Sequence, residues 1–263
     1  MFRPDDKTII PEPTPERVYQ CALYLQKQNK GIKKDEFTKN MTMSDVFGDK
    51  DNKSIFGYAY GVLRELDLAV ETDGLIYPSE ALSRIKTAAE FRKHCAKTIF
   101  QWENSLFSQV TSMYCQYAEQ ILKGQKWEDT VSFMGSQGLQ FHANVMKGWR
   151  LWAPFLGCGY LCEPHMIPNW AVRISDLIKD QDEFEKNQDI PIETFIAWLT
   201  FQAPEVRNSI EGKKIGLGVS NGLNTLDELK MIKVISLPDA VQWQMVTANG
   251  LGSISHVRIL GVK

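Results

Sequence analysis

The chain has 263 residues, 43% hydrophobic, 24% charged and 11% aromatic, which is enough apolar material for two or three compact units and too much for a disordered chain. Thirty Lys and Arg against 32 Asp and Glu leave a net charge of −2, so no whole-molecule field draws the protein to polyanions. Five Cys, an odd count, argue against a disulfide framework, no apolar run reaches the ~18 residues of a membrane span, and the opening MFRPDDKTIIPEP lacks a signal-peptide core, so a cytoplasmic protein without membrane contact is expected.

Residues 1–13 read as an extended arm ending in prolines. Thr14, Pro15 and Glu16 then form a helix start, with Val18, Cys21, Ala22 and Leu25 at helical spacing and Gly31 as the stop. Lys33 to Asn40 predicts a short helix with Phe37 inward, and a third helix follows from about Ser54, with Phe56, Ala59, Val62, Leu63 and Leu66 on one side. Two short apolar runs around Asp73-Gly74, within Leu68–Tyr77, carry the clearest hairpin signal of the chain. From Ser79 the spacing predicts one long helix to Gly124, or two broken near Glu103-Asn104. Glycine-interrupted helix follows from Trp127 to Trp152, then a Pro- and Gly-rich stretch in which Tyr160 to Ile167 reads as a second ribbon, then a short helix from Ala171 to Lys179. The acidic run from Lys179 to Asp189 reads as a linker. Beyond it, helices around Ile192–Leu199 and Leu223–Leu229 precede a hairpin pairing Val234–Leu237 with Val241–Met245, and a final strand from Ile254 to Leu260.

Leu63-Arg-Glu-Leu66-Asp-Leu68 and Leu226-Asp-Glu-Leu229-Lys-Met231 share one frame, Leu-x-Glu-Leu-x-apolar, at the end of a helix that leads into a ribbon. Helix order plus ribbon in both places resembles winged helix-turn-helix modules, over about 14–78 and 190–260. The arrangement is similar to tandem winged-helix proteins, including accessory subunits of bacterial phage-defence and genome-maintenance complexes. The resemblance implies a mainly α fold with small β wings: an arm 1–13, a winged-helix module 14–78, a helical middle 79–180 (or a third, degraded module there), and a C-terminal winged-helix-like module 181–263.

Such modules bind duplex DNA or hold proteins together. For DNA, the outward set on the first module is Lys50, Lys53, Ser54, Tyr58 and Arg64, with Gly57 and Gly61 allowing close approach; Arg84, Arg92, Lys93 and Lys97 add a basic stripe. The second candidate helix carries Asn221, Asn224 and Glu228; its acids repel phosphate, so these residues, with Trp149 beside Arg150 as an exposed aromatic anchor, are expected to face a protein.

Enzyme signatures are absent. Cys158, Cys162 and His165 give three irregularly spaced ligands where zinc takes four, Gly216–Gly222 lacks the phosphate-loop pattern and reads as a loop feeding a helix, and no catalytic residue, metal or cofactor is assigned. The expectation is a non-catalytic adaptor of a larger complex that contacts duplex DNA through its first module and the basic stripe. The alternative is a protein–protein or self-associating scaffold that makes no contact with nucleic acid.

Overall fold

Thr14 starts the first helix as its position predicts: its hydroxyl accepts from the Arg17 amide at 3.3 Å, and Pro15 occupies the first turn. The computed structural model describes residues 1–43 and 51–260, without the side chains of 51–53. It is mainly helical with several small sheets, about 50% helix and 17% strand.

The first unit runs α1 (Pro15–Leu25), β1 (Ile32–Lys33), α2 (Lys34–Thr42), α3 (Asp51–Glu65), β2 (Ala69–Thr72) and β3 (Leu75–Pro78), its sheet ordered β1-β3-β2. Val18, Leu25, Phe37, Leu63, Leu66 and Ile76 are fully buried and close the helices on the sheet. The turn between β2 and β3 holds Asp73 and Gly74 at φ 53° and 74°, the left-handed pair that a two-residue hairpin requires.

The middle contains α4 (Glu80–Arg84), α5 (Ala88–Phe100), α6 (Leu106–Gln116), α7 (Ala118–Ile121), α8 (Trp127–Ser136) and α9 (Asn144–Phe155), then a hairpin of β4 (Gly159–Cys162) and β5 (His165–Pro168). The single long helix from Ser79 is not formed. Nor are there only two helices: the chain breaks at Ile85, after Phe100 and at Tyr117, and Ser105 caps α6 by accepting from the Ser108 amide at 3.2 Å.

The last unit has α10 (Ala171–Asp180), β6 (Asp189–Pro191), α11 (Ile192–Gln202), a 3-10 helix (Pro204–Ser209), β7 (Ile210–Glu211), β8 (Lys214–Ile215), α12 (Leu217–Glu228), β9 (Ile232–Ile235), β10 (Trp243–Thr247), β11 (Gly250–Ile254) and β12 (His256–Ile259). Two predictions are corrected here. The stretch β9–β10 is no hairpin: β9 pairs with β12, whereas β10 pairs with β11 and, in parallel, with β8, giving sheets β6-β12-β9 and β11-β10-β8-β7. The glycine run is helix and not loop, because Gly216 is the N-cap and Gly218 and Gly222 lie inside α12. A Cβ on Gly218 would come within 2.8 Å of the Trp170 ring, and one on Gly222 within 2.9 Å of the Ala171 nitrogen, so close packing decides these positions over helix propensity.

The echo between the two leucine frames is a shared helix end that leads into a strand, and among the described residues that combination occurs three times; the cap alone also closes α8, where Gly138 (φ 94°) is left-handed and the Leu139 amide returns to the Met134 carbonyl at 3.0 Å. α3, α9 and α12 each end at a left-handed residue: Asp67 (φ 55°), Gly157 (φ 87°) and Lys230 (φ 57°). The following amides of Leu68, Cys158 and Met231 return to the carbonyls of Leu63, Ala153 and Leu226 at 2.8, 3.0 and 3.0 Å, the Schellman arrangement. A strand starts two residues past each left-handed residue. The ladders close at Ala69↔Pro78, Gly159↔Pro168 and Ile232↔Ile259. Past each ladder, the amides of Ser79, Asn169 and Leu260 bond the carbonyls of Leu68, Cys158 and Met231 at 3.1, 3.1 and 2.9 Å. The middle is therefore a third copy of the same ending.

The arm has no regular structure, yet Phe2 and Ile9 are fully buried. Phe2 meets Phe107 and Trp152 edge-on at 5.1 and 4.9 Å, the Trp152 indole donates to the Pro13 carbonyl at 2.8 Å, and Gly148 of α9 admits the Ile9 carbonyl where a Cβ would be 2.6 Å away.

Candidate interaction site

The three left-handed residues set a common register for α3, α9 and α12. Three, six, nine, ten and thirteen residues before them lies the helix side opposite the core in α3: Arg64, Gly61, Tyr58, Gly57 and Ser54. Tyr58 is 45% exposed, and Arg64 reaches toward Glu71 at 3.9 Å with both side chains largely in solvent. Around the positions a Cβ would take on Gly57 and Gly61, no atom of the described residues lies within 4 Å, so none of them covers this face there. Phe56, Ala59 and Leu63 hold the opposite side in the core. Lys50 and the Lys53 side chain, both predicted for DNA, lie outside the described residues.

In α12 the same register is closed. Ser220 is fully buried, and its hydroxyl donates to the Ile215 carbonyl and accepts from the Val246 amide, each at 3.1 Å. Asn224 donates to the Val246 carbonyl at 2.8 Å, so both main-chain groups of one residue of β10 are held by this helix. Asn221 donates to the Pro168 carbonyl at 2.9 Å, and Asp227 accepts from the Val234 amide at 2.8 Å. Asn221 and Asn224, predicted to face a partner, thus hold the chain's own loops and strands; Glu228 is exposed.

On α9, Asn144 and Lys147 are exposed and Arg150 lies 3.3 Å from Glu163. Trp149 is not the exposed anchor the sequence suggests. It is fully buried, with its indole donating to the Thr111 hydroxyl at 2.9 Å and its ring 4.7 Å from that of Tyr114.

The basic stripe is largely tied down within the chain. Arg92 grips Asp176 with two bonds of 2.8 and 2.9 Å, Lys93 reaches Asp180 at 2.7 Å, and Arg84 pairs with Glu80 on its own helix. The first two pairs bind α5 to α10 across 84 and 87 residues of sequence. Lys97 stays exposed, on the rim of a cleft of about 540 Å³ that also contains the 80% exposed Phe201.

Behind that cleft, Arg173 and Glu205 form a buried ion pair at 3.0 Å, with the guanidinium 5.8 Å from the centre of the Phe100 ring. Burial raises the Glu205 carboxyl above its ordinary range and Arg173 opposes the shift. Burial also pushes the Cys21 and Cys115 thiols up to about 12, which keeps them protonated and poor nucleophiles. The sequence cluster of Cys158, Cys162 and His165 does not converge: Cys158 is buried, Cys162 exposed, and the His165 Nε2 lies 2.7 Å from the Gly124 carbonyl. Among the described residues no group of three or more Cys, His, Asp or Glu is placed to hold a metal, and no helix is long and apolar enough to cross a membrane.

Sequence reading found the open face of α3, because its helical period separates inward from outward residues. It missed the closure of α12, whose partner Val246 arrives from a strand with no periodic link to the helix. No family model, curated protein or solved structure matches the chain.

Proposed function

We propose that the chain is a non-catalytic adaptor built of three winged-helix units, which joins a larger assembly through the outward face of α3. The sheet orders β1-β3-β2 and β6-β12-β9, in each of which the first strand follows one helix and the other two strands come after two more, support the winged-helix reading of the first and last units. The repeated helix end and hairpin support it for the middle one, which lacks a first strand.

One observation carries the assembly role. The face of α3 exposes Tyr58 beside two glycines whose Cβ positions are empty space, while the corresponding face of α12 is occupied by the chain itself. Each glycine costs an isolated helix about 0.8–1 kcal/mol relative to alanine, and no internal contact offsets that here. A helix face of this kind lets a second protein backbone or side chain sit close, with an aromatic at its centre.

Duplex DNA is the second reading, favoured by the exposed Asn144 and Lys147 on α9 in the register that Ser54 and Gly57 hold on α3, together with exposed Arg64 and Lys97. Against it stand the pairing of Arg92 and Lys93 with α10, and Glu71 and Asp73 at the tip of the first hairpin.

Titration of labelled duplex with the full chain at about 50 and about 200 mM salt separates the two readings. The assembly reading expects no binding at the lower salt. Micromolar or tighter duplex binding that falls with salt, and falls further on Arg64→Glu or Lys147→Glu, would transfer the function to DNA.

A further inference from the structure

The last unit differs from the other two in what lies between its hairpin strands. Ala69–Pro78 and Gly159–Pro168 are continuous two-stranded turns, whereas the ladder of β9 and β12 is opened by a segment that forms β10 and β11. One side of this insertion closes α12 through Val246. The other side ends in β11, the terminal strand of the sheet β11-β10-β8-β7. Leu251 there is 64% exposed, and Gly250 and Ser253 are exposed beside it. In an antiparallel pair, alternate residues of each strand turn their N–H and C=O groups away from the partner, so β11 presents a row of main-chain donors and acceptors to solvent.

Exposed edges template association, and proteins blunt them with charge or proline. The other terminal strands here follow that rule. β1 carries Lys33, β2 Glu71, β7 Glu211, β9 Lys233, and β6 both Asp189 and Pro191; the β4–β5 hairpin is flanked by Glu163 and Pro164 and ends in Pro168. From Val241 to Ser255 there is no Asp, Glu, Lys, Arg or Pro. Among the described edges, β11 is the one with neither device in it or next to it.

We propose that β11 is a self-association edge, pairing antiparallel with β11 of a second copy of this chain about a two-fold axis at Gly252. Leu251 of each copy then lies across from Ser253 of the other, and two four-stranded sheets join into one of eight strands. A strand without charge meets its own image without repulsion, which is what a two-fold, self-complementary contact demands. Each Leu251 leaves solvent on pairing. The contact is small, so association is weak. It is separate from the α3 face and stands or falls without it.

Sedimentation equilibrium of the full chain, from about 1 to about 200 μM, tests the proposal. Wild type is expected to move from 30.0 kDa toward twice that mass as concentration rises. Leu251→Lys and Leu251→Glu, at a solvent-exposed position, should each weaken association at least about tenfold by placing like charges around the axis, with unchanged circular dichroism. An equal mixture of the two should regain dimers. A wild-type chain that stays at its single-chain mass throughout, a Leu251→Lys variant that dimerises as wild type does, or a mixture no better than either variant alone would overturn it.

Discussion

α3 and α12 hold the same place in their units and end in the same left-handed cap, yet they use glycine for opposite purposes. Gly57 and Gly61 stand four residues apart with none of the described residues against them, and Gly218 and Gly222 stand four residues apart pressed on Trp170 and Ala171. The outward polar residues divide in the same way: Tyr58 is exposed, and Asn224 is bonded to β10. The pair in α12 serves close packing within the chain, and the pair in α3 has open space around it.

The contrast can be broken first on the closed side. Arg173 lies on α10, the helix that seats α12, and Arg173→Ala leaves the buried Glu205 without its counter-charge. A loss of about 3–5 kcal/mol is expected in chemical denaturation, whereas Glu205 and Arg173 replaced together by apolar residues should lose far less. Next, Gly222→Ala drives a Cβ to within 2.9 Å of backbone atoms at Trp170 and Ala171, and overpacking of this kind costs about 1–3 kcal/mol. On the open side the same exchange has the opposite sign: Gly61→Ala meets no atom and should raise stability by about 0.5–1 kcal/mol, read as a higher denaturation midpoint. A destabilised Gly61→Ala would mean that the α3 face is already covered in solution.

The smallest effect concerns the sheet behind α12. Arg258 of β12 bonds both carboxylate oxygens of Asp189 of β6, at 2.7 and 3.0 Å, and holds that carboxyl below its usual range. A folded-state pKa below the unfolded one stabilises above the unfolded value and loses that contribution as pH falls through the folded one. Wild type should therefore be slightly more stable than Asp189→Asn at neutral pH, and the gap should close below about pH 4. A gap that is constant across pH would disprove the assignment.

Local features were legible. Thr14-Pro15 marked a helix start and Asp73-Gly74 a turn because each acts on its own neighbours. The frame Leu63–Leu68 and Leu226–Met231 marked a true equivalence, although its leucines do not play equal parts: Leu66 is fully buried and Leu229 is 63% exposed. The Tyr160–Ile167 ribbon was legible as the wing of a degraded module, but the helix before it carries Pro154 and its cap is Gly157, so the third ending repeats without the leucine frame of the other two. Long-range pairings left no trace in sequence. Arg92 read as part of a basic stripe and not as the partner of Asp176, and Trp149 beside Arg150 read as an anchor, because nothing local tells which helix will lie alongside. β9 and β12 were each legible as strands, but β9 was paired with β10 for the same reason, since alternation marks a strand without naming its neighbour.

The buried arm joins the first unit to the middle. The bond from Trp152 to the Pro13 carbonyl spans 139 residues, and Phe2 packs on Phe107 and Trp152. The Phe2 amide also donates to the Glu65 carboxylate of α3 at 3.1 Å, so the arm is fastened to the first unit as well as to α6 and α9. A middle unit expressed alone would lack Phe2 and Ile9, which finish its core.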